Sequence, residues 1–237
     1  MLRKRSTQIT TKINVLDEGY VRLVDTLGDD ASVVNAARVS YDKEIEILED
    51  RDERLMVWLW ENEHTSPFRH AALTFEVYAP LFVARQWWKY AVASSHIDDQ
   101  NGWNESSRRY ITENEQFYVP MENEWRSKPA NSKQGSGEPI DPEIGADYTQ
   151  LLIQHIASGT KAYHAAMDDG VAPELARLFL PAYGMYVRWR WTVSLHGVMH
   201  FIRQRIEHDA QVEIQDYAKA VKDLVAEAFP TTSKIFL

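Results

Sequence analysis

Cysteine is absent from all 237 residues, which removes disulfides, thiolate metal ligation and a thiol nucleophile together. A basic excess is absent as well: 26 Lys and Arg stand against 35 Asp and Glu, a formal net charge of −9. That balance disfavours a general nucleic-acid coat or a binder of anionic membrane, while a local basic pocket remains compatible with it. No stretch approaches the ~18 apolar residues of a membrane span, and the basic N-terminus MLRKRSTQITTK is followed by no apolar segment. A cytoplasmic protein without nucleic-acid or membrane partners is expected. GxGxxG, GxxxxGK(S/T) and GxSxG are all missing, so a Rossmann or P-loop nucleotide grip and a nucleophile elbow are not the devices used here.

What is present is an ordinary globular composition, 44% hydrophobic, patterned as an α+β chain. Residues 13–26 alternate around a Gly and predict two short strands at a sheet edge. Helical spacing begins at Asp30, taken as an N-cap, and returns over 51–62. A turn at 64–70 leads into an alternating strand over 72–78, which Pro80 ends before a helix over about 81–93. Residues 121–142, rich in Glu, Asn, Ser, Gly and Pro, predict a loop that adds nothing to the core. They separate an α/β part, about 13–120, from a helical part, 143–237, within one domain spanning 1–237. The helical part is predicted as helices over about 142–166, from Pro173, over about 187–204, and over about 210–228 with Asp209 as N-cap. The expected fold is a small antiparallel sheet packed with helices, followed by a long-helix C-terminal part.

Three stretches carry possible chemistry. Arg85 to Tyr110 joins an aromatic helix, on which Arg85 and Lys89 share a face, to Asn104-Glu105-Ser106-Ser107-Arg108-Arg109-Tyr110. Guanidinium forks and Ser hydroxyls suit an anionic ligand, although such a run is also common on a solvated surface. His196 and His200 lie four apart on one helix, but Gly197 stands where an HExxH site needs Glu, and no metal is expected. Arg203 to Gln211 places Arg203, Arg205, Glu207, His208 and Asp209 at a helix junction. It reads either as a cleft wall or as a salt-bridge ladder such as Arg203–Glu207 or Arg205–Asp209.

Six segments in order are similar to the flavin-dependent thymidylate synthases. They are AARVSYD at 36–42, EHTSPFRHAALTFEV at 63–77, FVARQWW at 82–88, NESSRRY at 104–110, ELARLFLP at 174–181, and RWTVSLHGVMHFIRQRIEHDAQVEIQDYA at 190–218. The departure is at the family signature, Arg-His-Arg followed seven residues later by Ser. Lys89-Tyr90-Ala91 stand in its place, about eight extra residues, His96 to Trp103, intervene, and Ser107 is the signature Ser. Within this insertion, Trp103 and His96 are the candidates to stand in for the signature's His and Arg.

The resemblance implies an FAD-dependent methyltransferase that converts dUMP to dTMP. Methylenetetrahydrofolate would be the carbon donor and NADPH the reductant, in a homotetramer with sites between subunits. It implies that Gln86, Lys89, Ser107, Arg108, Arg109, Arg177 and Arg205 contact dUMP, with Arg177 reaching a neighbouring subunit's nucleotide. Arg205 would be catalytic, favouring uracil ionised at N3. Ser66, Lys89, Tyr90, Ala91, Glu105, Ser194 and His200 fall at flavin-contacting positions. A route in which flavin supplies hydride fits a chain that has no cysteine to attack uracil. The competing readings are a flavin- or nucleotide-binding relative with other chemistry or none, and a structural oligomeric interaction protein whose Arg-rich helices pair across subunits.

Overall fold

Tyr186–Ser194, YVRWRWTVS, is a strand, where the sequence pattern predicts the first half of a helix over about 187–204. Aromatic and β-branched residues alternate here, with Trp189, Trp191 and Val193 turned inward and Arg188, Arg190 and Thr192 turned the other way. Period two wins over helical spacing because these side chains fit a pleated surface. Helix starts only after Ser194, whose hydroxyl accepts the Gly197 N–H at 3.0 Å. The computed structural model describes residues 11–39, 44–91, 102–106, 115–130 and 135–237.

The five strands are β1 (Lys12–Val15), β2 (Gly19–Leu27), β3 (Ala72–Pro80), β4 (Gly102–Glu105) and β5 (Tyr186–Ser194). They form one antiparallel sheet in the order β1-β2-β3-β5-β4. The C-terminal strand therefore lies between two N-terminal ones, and long-range pairing joins the two halves of the chain. The β1–β2 turn needs glycine at 19, because a Cβ there would sit 1.8 Å from the Tyr217 hydroxyl.

Three helices cover the apolar face: α3 (Leu81–Ala91), α6 (Leu195–Arg205) and α7 (Val212–Ala228). Phe75, Trp189 and Trp191 of the sheet meet Trp87 of α3, Phe201 of α6 and Tyr217 of α7 in one dry layer. The opposite face is polar: Thr74 and Thr192 hydroxyls pair at 3.0 Å, and Glu76 is bridged by Arg22 at 2.9 Å. Burial works to raise the Glu76 carboxyl, but hydrogen bonds from Arg22 and Tyr20, with the charges of Arg22 and Arg188, hold it below its ordinary value.

The remaining helices are α1 (Asp30–Arg38), α2 (Asp50–Glu61), α4 (Pro142–Asp168), the single turn α5 (Pro173–Ala176) and α8 (Pro230–Phe236). The α1 cap is Asp29 rather than Asp30, and it forms a capping box with Ser32. Asp30 is instead buried and accepts the Thr231 and Thr232 N–H groups at 2.8 and 3.0 Å, tying α1 to the C-terminal helix. The cap of α7 is Gln211, not Asp209. As expected, no described residue of the 121–142 loop enters the hydrophobic core, but the loop is tied to α4, where Trp125 Nε1 donates to the Thr149 hydroxyl at 2.9 Å. Among the described residues, no helix is long and apolar enough to cross a membrane.

Candidate active site

Residue spacing on α3 puts Gln86 and Lys89 on one face, three apart. The C-terminal end of α6 brings Gln204 and Arg205 opposite them, and the turn Glu207–Gln211 forms the next wall of a polar cleft of about 940 Å³. Arg205 is 8% exposed, at the helix end where the backbone dipole favours a cation. A guanidinium there stays charged at any working pH and offers a rigid fork of donors. Among the described residues Lys89, Arg126 and Arg205 supply positive charge to the lining, and Glu207 and Asp209 supply negative charge. The cleft can therefore orient a planar polar ring that carries an anionic tail.

Of the residues expected at a nucleotide, Gln86, Lys89 and Arg205 meet in this cleft. Arg177 does not: it is exposed on a 3₁₀ turn, Arg177–Phe179, with Nε donating to the Glu174 carbonyl at 3.1 Å. Ser107, Arg108 and Arg109 lie outside the described residues, as does His96. The alternative ladder reading of the 203–211 junction does not describe Arg203, whose guanidinium lies 5.4 Å over the Trp60 ring.

Ser66 opens the 3₁₀ turn Ser66–Arg69 and lines a second cleft of about 490 Å³ with His64, Thr65, Arg69 and Leu59 among its walls. Here Arg69 Nη2 donates to the Thr65 hydroxyl at 3.3 Å, while Arg69 Nε is buried with no hydrogen-bond partner. A buried guanidinium donor left open beside a hydroxyl and an imidazole is a donor set fitted to phosphate oxygens.

The turn packs on α6, which is capped by Ser194 and carries His200. Ser194 is fully buried and caps that helix, so its hydroxyl serves the turn rather than an open surface. Burial, and secondarily the Arg203 charge, lower the His200 pKa below its ordinary 6.5. His200 is thus held neutral where the unfolded chain would protonate it. Its contribution to stability is present above pH 6.5 and is lost as pH falls through the depressed folded value. The NMR-monitored His200 midpoint is expected below 6.5, and His200→Asn should flatten the fall in melting temperature on acidification from pH 6.5. A midpoint at or above 6.5 contradicts this.

Glu105 lies on edge strand β4, where desolvation raises its carboxyl pKa. Trp103 of the same strand stacks on Trp189 at 5.0 Å and meets Trp88 edge-on at 5.6 Å, so its ring extends the protein's own aromatic layer. Tyr90 and Ala91 end the α3 backbone.

Sequence reasoning missed Arg126, Gly135 and Ser136, which line the large cleft from the segment predicted as a bare loop. A Trp-Arg pair inside an otherwise acidic, Pro/Gly-rich stretch was the available signal. Arg126, Ser136 and Gln211 also border a third cleft, about 580 Å³, walled by Phe82, Tyr118 and Trp125.

Comparison with known proteins places the sequence and the fold. The family model described as "Thymidylate synthase complementing protein" matches residues 22–231. The "Flavin-dependent thymidylate synthase" of Thermus thermophilus is 40% identical over 219 residues, 92% of this chain and 75% of that one. Its counterpart from Thermosipho africanus is 37% identical over 223 residues, 94% and 92% of the two chains. Among solved structures, the UMP/dUMP methylase PolB from Streptomyces cacaoi, bound with 5-Br dUMP, superposes with a TM-score of 0.78 at 27% identity, covering 94% of this chain and 96% of that one.

Proposed function

Since the chain belongs to the flavin-dependent thymidylate synthase family of enzymes, we propose that it reductively methylates dUMP to dTMP. Methylenetetrahydrofolate is the carbon donor, NADPH the reductant and FAD the cofactor, and no cysteine nucleophile takes part. The observation that carries this reading is the convergence of Gln86, Lys89 and Arg205 on one polar cleft.

Arg205 has the main chemical role. Placed against the uracil edge, its cation favours negative charge at N3 and O2/O4, which raises electron density at C5, the carbon that must be alkylated. Gln86 donates to and accepts from the base, Lys89 adds charge, and Ser107, Arg108 and Arg109 hold the phosphate. The residues around the second cleft fit a flavin dinucleotide: Arg69 Nε has no hydrogen-bond partner and, with the Ser66 hydroxyl on the same lining, would meet diphosphate oxygens. His200, Glu105, Ser194, Lys89 and the α3 positions Tyr90 and Ala91 would complete the flavin contacts. Bound flavin supplies the hydride chemistry that no side chain here can perform.

We further infer a single cytoplasmic domain that assembles as a homotetramer with sites between subunits. Exposed Ile144, Tyr148 and Leu151 form an i, i+4, i+7 stripe on α4, and exposed Leu178 and Phe179 follow Arg177. Apolar surface of this kind favours a partner that brings Arg177 to a neighbouring cleft.

The purified protein should be yellow and should make dTMP from dUMP when given methylenetetrahydrofolate and NADPH. UMP run in parallel tests the sugar, and preference for it over dUMP overturns the deoxynucleotide assignment. Colourless protein whose melting temperature does not rise with added FAD overturns the cofactor assignment.

A further inference from the structure

Arg126 lies outside the six segments quoted above, although inside the residues 22–231 that the family model matches, and it lines the same cleft as Lys89 and Arg205. Its guanidinium is held on three sides. Nε donates to the Ser136 hydroxyl at 2.9 Å, Nη1 to the Glu124 carbonyl at 3.2 Å, and Nη2 to Glu213. Glu213 is 4% exposed, in the first turn of α7. An Arg carries five N–H donors, so two remain for a ligand.

The backbone around Arg126 is equally fixed. Ser127 N donates to Glu138 O at 2.9 Å, Gly137 N to Ser127 O at 2.8 Å, and Ile140 N to Trp125 O at 2.9 Å, which pairs residues 125–127 with 137–140 as the two arms of a strap. The strap presses on the turn that follows Arg205. Gly135 has φ +73°, a conformation that favours glycine, and it lies against the Asp209 backbone, where a Cβ would come within 3.4 Å of the carbonyl oxygen. Trp125 pins the other side of the strap to α4 through Thr149.

We propose that Arg126 is a nucleotide-positioning residue of this enzyme. Clamped by buried Glu213, it fixes the strap as a wall of the Lys89–Arg205 cleft and turns its two remaining N–H groups to the anionic ligand. A salt bridge that served the fold alone would not need its cation on the cleft lining or its Nε bonded to a second lining residue. Charge-assisted bonds of this kind, made to substrate and transition state alike, act on binding rather than on the chemical step. The inference rests on the dUMP reading above.

The test is calorimetric titration of the FAD-loaded protein with dUMP, together with steady-state kinetics and flavin absorbance. Arg126→Met is expected to raise the dUMP Kd and KM about ten-fold or more. The kcat should change less than about three-fold and the flavin content should not change. Arg126→Lys, which keeps charge but loses the fork, should restore part of the affinity. Glu213→Gln should weaken binding by a smaller factor. If Arg126→Met does not fold, Ser136→Ala removes only the Nε partner and should raise Kd about two- to five-fold. A dUMP Kd unchanged in the folded variants, with only the melting temperature lowered, overturns the inference. Absence of dUMP binding by the wild type overturns the nucleotide reading instead and takes the inference with it.

Discussion

Arg205→Ala is expected to reduce kcat/KM for dUMP by about 10²–10³-fold, the loss seen when a preorganised charge is removed from a developing anion, roughly 2.7–4 kcal/mol. The size follows from placement. Arg205 is 8% exposed at the end of α6 and lines the polar cleft, where a cation acts through less water than it would on an open surface. The flavin spectrum should be retained, because the Ser66–Arg69 turn and its cleft are built from other residues. Arg205→Lys should fall between the two, since charge survives while the planar fork does not. Melting curves separate an altered fold from altered chemistry. Turnover within about three-fold of wild type, in protein that melts normally, would falsify the catalytic role.

Trp87→Ala is expected to cost about 3–5 kcal/mol of stability, the range for deleting a large buried aromatic. For a chain of this size, about 2–4 °C per kcal/mol turns that into a melting temperature lower by about 6–20 °C. Trp87 is fully buried, stacked on Phe201 at 4.4 Å and edge-on to Trp189 and Trp191 at 5.4 Å each. No neighbour can fill the void without leaving the sheet or α6. Gln86 and Lys89 share α3 with this ring, so activity should fall with stability even below the melting transition. Trp87→Phe should recover more than half of the loss. A shift of under about 3 °C for the Ala variant would show that the aromatic layer carries little of the core energy.

The two variants separate what holds the cleft from what works in it. Trp87 faces the sheet and Gln86 and Lys89 face the cleft from the same helix turn. Arg205 likewise follows Phe201 and Ile202, which are packed into the same layer, by one helical turn. The geometry of the cleft is therefore set by how α3 and α6 lie on the sheet, and each places its polar residues by helical periodicity alone.

Local pattern was enough for the β1–β2 hairpin, α2, the Ser66 turn, β3, α3 and α4, because alternation, helical spacing and Pro or Gly punctuation act over a few residues. Colinear segments were enough for the family, and the absence of cysteine was enough to exclude a thiol nucleophile. Three things were decided only in three dimensions. Residues 186–194 became a strand because β3 and β4 offer hydrogen-bonding edges on either side, a partner choice invisible to local periodicity. The 121–142 segment became a cleft wall because Arg126 finds a carboxylate 87 residues away. Gln86, Lys89 and Arg205 became one site because two helices more than a hundred residues apart in sequence rest on the same sheet face. Side-chain type is written in the chain, whereas convergence depends on long-range packing, which a one-dimensional pattern does not specify.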